Sequence, residues 1–401
     1  MRVISVVLAA VLLLVGACDS EQPSPTPSVP PAPAARVVGY FTDWGVYGRN
    51  FQVRNVEASG AAGRLTHLLY AFGKVTGGGC ATGDKWADYE KPIAAADSVD
   101  GVADTAGSGL RGNFGQLRKL KARHPQLRVL WSFGGWTGSA GFTEAARDPA
   151  AFAASCRKLL TDERWAGVFD GIDIDWEYPN ACGLVCDKSG AGALPALLSS
   201  LRAELGPQAL VTAAVTADEG KQKATDYASA AGSASWLSVM TYDFFGTEDG
   251  PGETAPHSPL TAYAGIPRPA ATTDAAIANL LALGIPSGKL LLGVGFYGRG
   301  WAGVSAAEPG GAASGPAPGT HEKGLEDYAV LRQTCPPTGE VGGTAYALCK
   351  GQWWSYDTPE TVKTKMAYAR SKQLGGAFAW ELSGDTEDAQ LVTAMATGLA
   401  G

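Results

Sequence analysis

Short apolar runs rich in β-branched and aromatic residues recur along the chain and predict eight strands, over 37–41, 65–72, 128–133, 168–177, 210–216, 236–242, 290–296 and 377–381. Amphipathic stretches with helical spacing lie between them, over 114–123, 150–160, 193–205, 273–283 and 361–372. Strands that alternate with helices predict an α/β fold with a parallel sheet, and eight such units predict a (β/α)8 TIM barrel. Such a barrel carries its active site at the C-terminal ends of the strands. That is where Tyr40, Ser132, Glu177, Tyr242, Tyr297 and Trp380 fall. Two connections are longer than a βα loop requires. One covers 73–112 and holds Cys80, Trp86 and Tyr89; the other covers about 302–352, between the seventh and eighth strands, and begins rich in Gly, Pro and Ala.

The fourth strand holds the densest chemistry. Asp173, Asp175 and Glu177 alternate with Ile174 and Trp176, so the three carboxylates share one face and the apolar residues the other. Like charges on a buried face repel one another and resist desolvation, so at least one of them keeps its proton at neutral pH. A neutral carboxylic acid beside carboxylates is what general-acid catalysis requires. A solvated strand edge or a calcium site would account for the same row. Asp170 has the wrong parity for that face and reads as structural.

Composition narrows the partners. Hydrophobic residues make up 45% of the 401 positions and charged ones 18%, which leaves ample core. A net charge of −7 without any Lys/Arg-rich run argues against nucleic acid or an anionic membrane surface, and suits a neutral polymer. The four histidines are widely separated and no Cys/His spacing fits a zinc site, so neither metal nor cofactor is expected. Residues 1–17 read as an export signal: Arg2 precedes an apolar run over 3–15 that is too short to span a bilayer. Val15-Gly16-Ala17-Cys18 resembles a bacterial lipoprotein cleavage site, with ordinary cleavage as the alternative. Lipidation of Cys18 would anchor the protein at the outer face of the membrane and leave an even six of seven cysteines. A proline-rich linker over 18–35 follows, and its stretch 20–35 would reach about 45 Å in extended form. The six remaining cysteines allow fifteen pairings. Cys182 with Cys186 would close a short loop beside the fourth strand, Cys335 with Cys349 a loop after Trp301, and Cys80 with Cys156 remains.

Asp170 to Glu177 fits the DxxDxDxE pattern of family 18 glycoside hydrolases, the chitinases and their relatives. In the same order, Ser132-Phe133-Gly134-Gly135-Trp136 resembles that family's SxGG strand end and Met240-Thr241-Tyr242-Asp243 its MxYD strand end. Segments 289–301 and 375–385 resemble two further strands, and the likeness runs over about 36–401. The resemblance implies a catalytic barrel over 36–401 with a small α+β insertion domain between strands seven and eight, at about 302–355. It implies retaining, endo-acting hydrolysis of β-1,4-linked N-acetylglucosamine polymers, with the substrate's own acetamido oxygen as nucleophile. Glu177 would be the general acid and base, Asp175 would orient the acetamido group, Asp173 would share a proton with Asp175, and Tyr242 would donate its hydroxyl. Substrate contacts would come from Tyr40, Phe72, Ser132, Trp136, Met240, Asp243, Tyr297, Arg299 and Trp380. Trp301 would also line the groove, whereas Trp165, Trp176 and Trp236 read as core and Trp353 and Trp354 as either. The family likeness further implies a monomer. Alternative readings are an endo-β-N-acetylglucosaminidase acting on glycoprotein glycans, a chitin-binding lectin without activity, and a structural cell-surface protein. The intact carboxylate row favours an enzyme over the last two.

Overall fold

A computed structural model describes residues 35–105, 107–247 and 252–401. The expected export signal, Cys18 and the linker as far as residue 34 lie outside the described residues. Eight parallel strands form one sheet: Arg36–Thr42 (β1), His67–Thr76 (β2), Arg128–Gly134 (β3), Gly171–Asp175 (β4), Leu210–Val215 (β5), Trp236–Val239 (β6), Leu290–Gly295 (β7) and Gly376–Trp380 (β8). β1 pairs with β2 on one side and with β8 on the other, so the sheet closes on itself. The expected (β/α)8 TIM barrel is therefore present. Helices follow the strands, among them Gly112–Arg123, Pro149–Leu160, Ala193–Leu205, Thr273–Ala282, Pro359–Ser371 and Gln390–Ala400. Their starts are written locally. Asp148 accepts the Ala151 N–H ahead of Pro149, and Thr358 and Thr361 cap each other's backbone at the start of Pro359–Ser371.

The core has two shells. Ile172 and Ile174 of β4, and Trp176 just past it, face outward, where helices cover them, together with Trp165. Inside the barrel a smaller plug holds Val38, Tyr40, Leu69, Leu130, Trp236, Leu291 and Phe378, with Phe72, Met240, Tyr242 and Trp380 partly buried above it. The strand expected over 168–177 is shorter in fact. Val168 and Phe169 pack as an approach turn, and Glu177 lies past the last ladder position.

The long segment after β2 is built rather than loose. β2 turns through Gly77 and Gly78, both at positive φ, into a short antiparallel strand, Gly79–Ala81. A disulfide from Cys80 to Cys156 ties that hairpin to the helix Pro149–Leu160. Cys182–Cys186 and Cys335–Cys349 also form disulfides. A second, antiparallel sheet stands between β7 and β8. It holds Tyr297–Ala302, Gly315–Pro316, Leu325–Asp327, Gly339–Val341, Thr344–Cys349 and Gln352–Tyr356, with one helix, Tyr328–Thr334. The sheet opens at Tyr297, ahead of residue 302, because the chain leaving β7 turns straight into it. A fully buried ion pair, Lys365 Nζ to Asp357 Oδ2 at 2.6 Å, anchors it; the same ammonium donates to the Ser258 carbonyl. Among the described residues no helix is long and apolar enough to cross a membrane.

Candidate active site

Register on the sheet decides the chemistry of the carboxylate row. Asp173 on β4 lies opposite Ser132 of β3 and Thr212 of β5, two hydroxyl residues. Both donate to it, Thr212 Oγ1 to Oδ1 at 2.5 Å and Ser132 Oγ to Oδ2 at 2.7 Å; the Tyr40 hydroxyl adds a third bond to Oδ2 at 2.8 Å. Asp175, two residues on, lies opposite Gly134 and Ala214, which carry no donor. Its Oδ1 is buried without a hydrogen-bond partner. Burial raises both carboxyls, but at Asp173 the three hydroxyl bonds oppose the rise, whereas at Asp175 the charges of Glu177 and Asp173 add to it. Of the two aspartates, Asp175 is thus the one whose surroundings disfavour the charged form with no donor to oppose it. Gly134 is needed here: it sits at positive φ, and a Cβ on it would stand 2.1 Å from the Asp175 carbonyl oxygen.

Glu177 stands one step further out, at the mouth. Its N–H donates to Ser139 Oγ at 2.8 Å, and that hydroxyl donates in turn to the Gly135 carbonyl. Desolvation pushes the Glu177 carboxyl up to about 7; Asp243 adds to the rise, while a bond from the Tyr178 hydroxyl and the Lys221 cation pull it down. The Lys221 ammonium itself sits over the Tyr178 ring, 4.0 Å from its centre. A carboxyl near 7 can give a proton and take it back at neutral pH.

Tyr242 lies at the end of β6, with its ring against Phe378 and Tyr297. Burial, then Tyr297 and the surrounding carboxylates, holds its phenol far above the ordinary value, so it stays a donor. Asp243 behaves in the opposite way. Desolvation would raise it, but Arg299, whose Nε donates to Oδ1 at 2.8 Å, and His257 hold it below the usual carboxylate range. It remains ionised. Trp380 stacks on Phe72, with ring centres 5.7 Å apart, and Tyr40 meets its edge. Trp44 joins them and, like Trp136, Tyr47 and Trp86, leaves about half of its surface to solvent. These are flat apolar faces beside ionisable groups, the surface that a sugar ring fits.

The expected residues thus meet at one end of the barrel, with differences in depth. Tyr40 and Ser132 are buried, and their hydroxyls are committed to Asp173. Tyr297 is also buried, against His257, while Met240 and Phe72 are half-buried rims of the inner plug. Trp301 is not a groove residue. It is 1% exposed and packs on Trp353 in a core between the second sheet and Phe244 and Phe245. Trp353 and Trp354 are buried as well. Sequence reasoning leaves out Thr212, Ser139, Tyr178, Lys221, His257 and Arg49. Only Thr212 has a readable signal, a hydroxyl amid an apolar strand. His257 is fully buried with Nδ1 3.6 Å from Asp243 Oδ1. Arg49 links the β1 loop to the second sheet through Asp327 at 2.5 Å. Among the described residues no three His, Cys, Asp or Glu side chains are grouped to hold a metal ion.

Known proteins resemble this chain in sequence and fold. Residues 36–385 match the family Glycosyl hydrolases family 18. Chitinase 63 of Streptomyces plicatus is 55% identical over 385 residues, which are 95% of this chain and 62% of that protein. Chitinase C of Streptomyces lividans is 58% identical over 87% of this chain and 57% of its own length. The chain therefore spans about three fifths of these relatives. The catalytic domain of psychrophilic chitinase B from Arthrobacter TAD20 superposes with a TM-score of 0.86 at 35% identity, covering 91% of this chain and 95% of that one. The match begins with the first barrel strand and ends just past the last, with the carboxylate row inside it: the chain belongs to family 18 of the glycosyl hydrolases.

Proposed function

We propose that this chain hydrolyses chitin and chito-oligosaccharides internally, with retention of anomeric configuration and with Glu177 as general acid and base. The observation that carries the proposal is the graded carboxylate row. Asp173 accepts from three hydroxyls, Asp175 has a buried Oδ1 with no partner and a raised carboxyl, and desolvation lifts Glu177 to about 7 at the mouth. The names of the relatives support the same substrate class.

In the first step the substrate's acetamido oxygen attacks the anomeric carbon as the bond to the leaving oxygen breaks. Glu177 gives its proton to that oxygen. Asp175 passes its proton to Asp173 and, as an anion, faces the acetamido N–H of the oxazolinium ion. Tyr242, kept protonated, donates to the acetamido oxygen. Water then attacks the anomeric carbon, Glu177 takes its proton, and two inversions leave the configuration unchanged. Without an N-acetyl group there is no nucleophile, so cellulose is inert. The setting that goes with this reading is an exported monomer that needs no cofactor, tethered through a lipid on Cys18 or released.

The test is cleavage of N-acetylglucosamine hexamer by the chain, with Glu177→Gln alongside and cellohexaose as control. Early β-anomers, lost in the variant and absent from cellohexaose, are expected. Early α-anomers would overturn the mechanism. Cleavage of glycoprotein glycans but not of the hexamer would transfer the chain to the endo-β-N-acetylglucosaminidase reading.

A further inference from the structure

The loop after β4 exposes two large apolar side chains, Leu184 at 59% and Val185 at 56%, on an unusually braced support. The Cys182–Cys186 disulfide closes it. The Asp187 carboxylate accepts from the Asn180 N–H, the Ser189 N–H and hydroxyl, and the Thr143 hydroxyl, all within 3.0 Å. Asn180 Nδ2 donates to the Ala224 carbonyl at 2.7 Å. Gly183 lies close against the backbone of Glu177: a Cβ there would stand 2.3 Å from the Glu177 carbonyl oxygen and 3.3 Å from the Trp136 ring. Val185 shares the wall of a small recess with Glu177, Trp176, Ser139 and Thr143.

Two apolar tips held in water gain nothing for the fold, while a rigid support removes the ordering cost that a partner would otherwise meet. Their position selects the partner. In a ring of eight strands β4 lies opposite β8, so the loop after β4 starts across the barrel from the strand that ends in Trp380, with Glu177 and Trp136 on its own side. Resting on the activity proposed above, we propose that Leu184 and Val185 form a rigid apolar lip that receives the leaving-group sugars of a bound glycan. A chain with one sugar on Trp380 and its scissile oxygen at Glu177 continues over this loop. There the C–H faces of its rings meet Trp136, Leu184 and Val185. The lip makes the enzyme prefer substrates that extend past the cut.

The test is Leu184→Ser with Val185→Ser in the full chain, compared with the unmodified chain on two substrates. One is N-acetylglucosamine hexamer, which has sugars beyond the cut; the other is the nitrophenyl glycoside of the dimer, which has none. The expected result is an about fivefold fall in the ratio of hexamer to glycoside kcat/KM, most of it through the hexamer KM. Transfer of glycosyl groups to added N-acetylglucosamine trimer should fall alongside. A ratio within about twofold of the unmodified chain's would overturn the lip, whether both rates hold or both drop together. An unmodified chain that cleaves neither substrate removes the activity itself, whereas cleavage with an unchanged ratio removes the lip alone.

Discussion

Replacing the acid should make the protein more stable, and by an amount that grows with pH. Desolvation raises the Glu177 carboxyl from 4.5 to about 7 in the folded chain. At about 1.36 kcal/mol for each tenfold change, holding this group ionised in the native mouth costs roughly 3 kcal/mol. The unfolded chain releases the proton near 4.5, while the native chain keeps it to about 7. Unfolding between these values therefore sheds a proton, and native stability falls as pH rises until the folded group has also ionised. Glutamine has the same shape and no charge, so Glu177→Gln escapes the loss. Its gain over the unmodified chain should be small at pH 4 and approach roughly 3 kcal/mol at pH 8. Urea unfolding of both proteins at pH 4, 6 and 8 measures it, and hexamer turnover confirms that the stabler protein is inactive. A gain that is flat across pH, or larger on the acid side, would refute the reasoning. The same titration sets the alkaline limb of kcat/KM, which should fall about tenfold for each pH unit above about 7.

Three further changes test the supports. Thr212→Val removes the donor to Asp173 Oδ1 and leaves a buried acceptor; it should cost about 1–3 kcal/mol in urea unfolding at pH 7 and raise the Asp173 carboxyl further. Lys365→Met leaves Asp357 buried and unpaired, at a cost of about 3–5 kcal/mol, and adding Asp357→Leu should restore much of the loss. If the double variant is no better than the single one, the pair is not the source of the effect. Replacing Cys335 and Cys349 by Ser opens a loop of sequence separation 14 and should cost about 3 kcal/mol by unfolding under oxidising conditions.

The barrel is legible in the sequence because each strand is buried on at least one face and therefore writes its own apolar run. The carboxylate row is legible for the complementary reason, since charges at period two inside such a run are costly to bury and mark a site rather than a scaffold. Depth and neighbour are not legible. Tyr40 and Ser132 stand at strand ends, but only register reveals that their hydroxyls point at Asp173. Why hydroxyl donors oppose the rise at Asp173 and not at Asp175 depends on the residues opposite them, Ser132 and Thr212 against Gly134 and Ala214, which lie tens of positions away in sequence. Trp301 reads as a groove residue because a motif next to the mouth runs directly into the second sheet, where that side chain meets Trp353 instead. His257 and Lys221 come from loop and short-helix segments with no period at all. Their role follows only from what folds beside them.

The closure of the barrel has a consequence for how the molecule is made. Arg36 at the start of β1 donates to the Gly375 carbonyl, 339 positions later, just before the strand that completes the ring. Within the barrel, the first strand thus waits for the eighth, and a ribosome that stops before residue 376 leaves a sheet with two raw edges. Such a product has no smaller native state to settle into, and open parallel edges pair with other chains. Premature termination ahead of that strand should therefore yield insoluble material rather than a weakened enzyme.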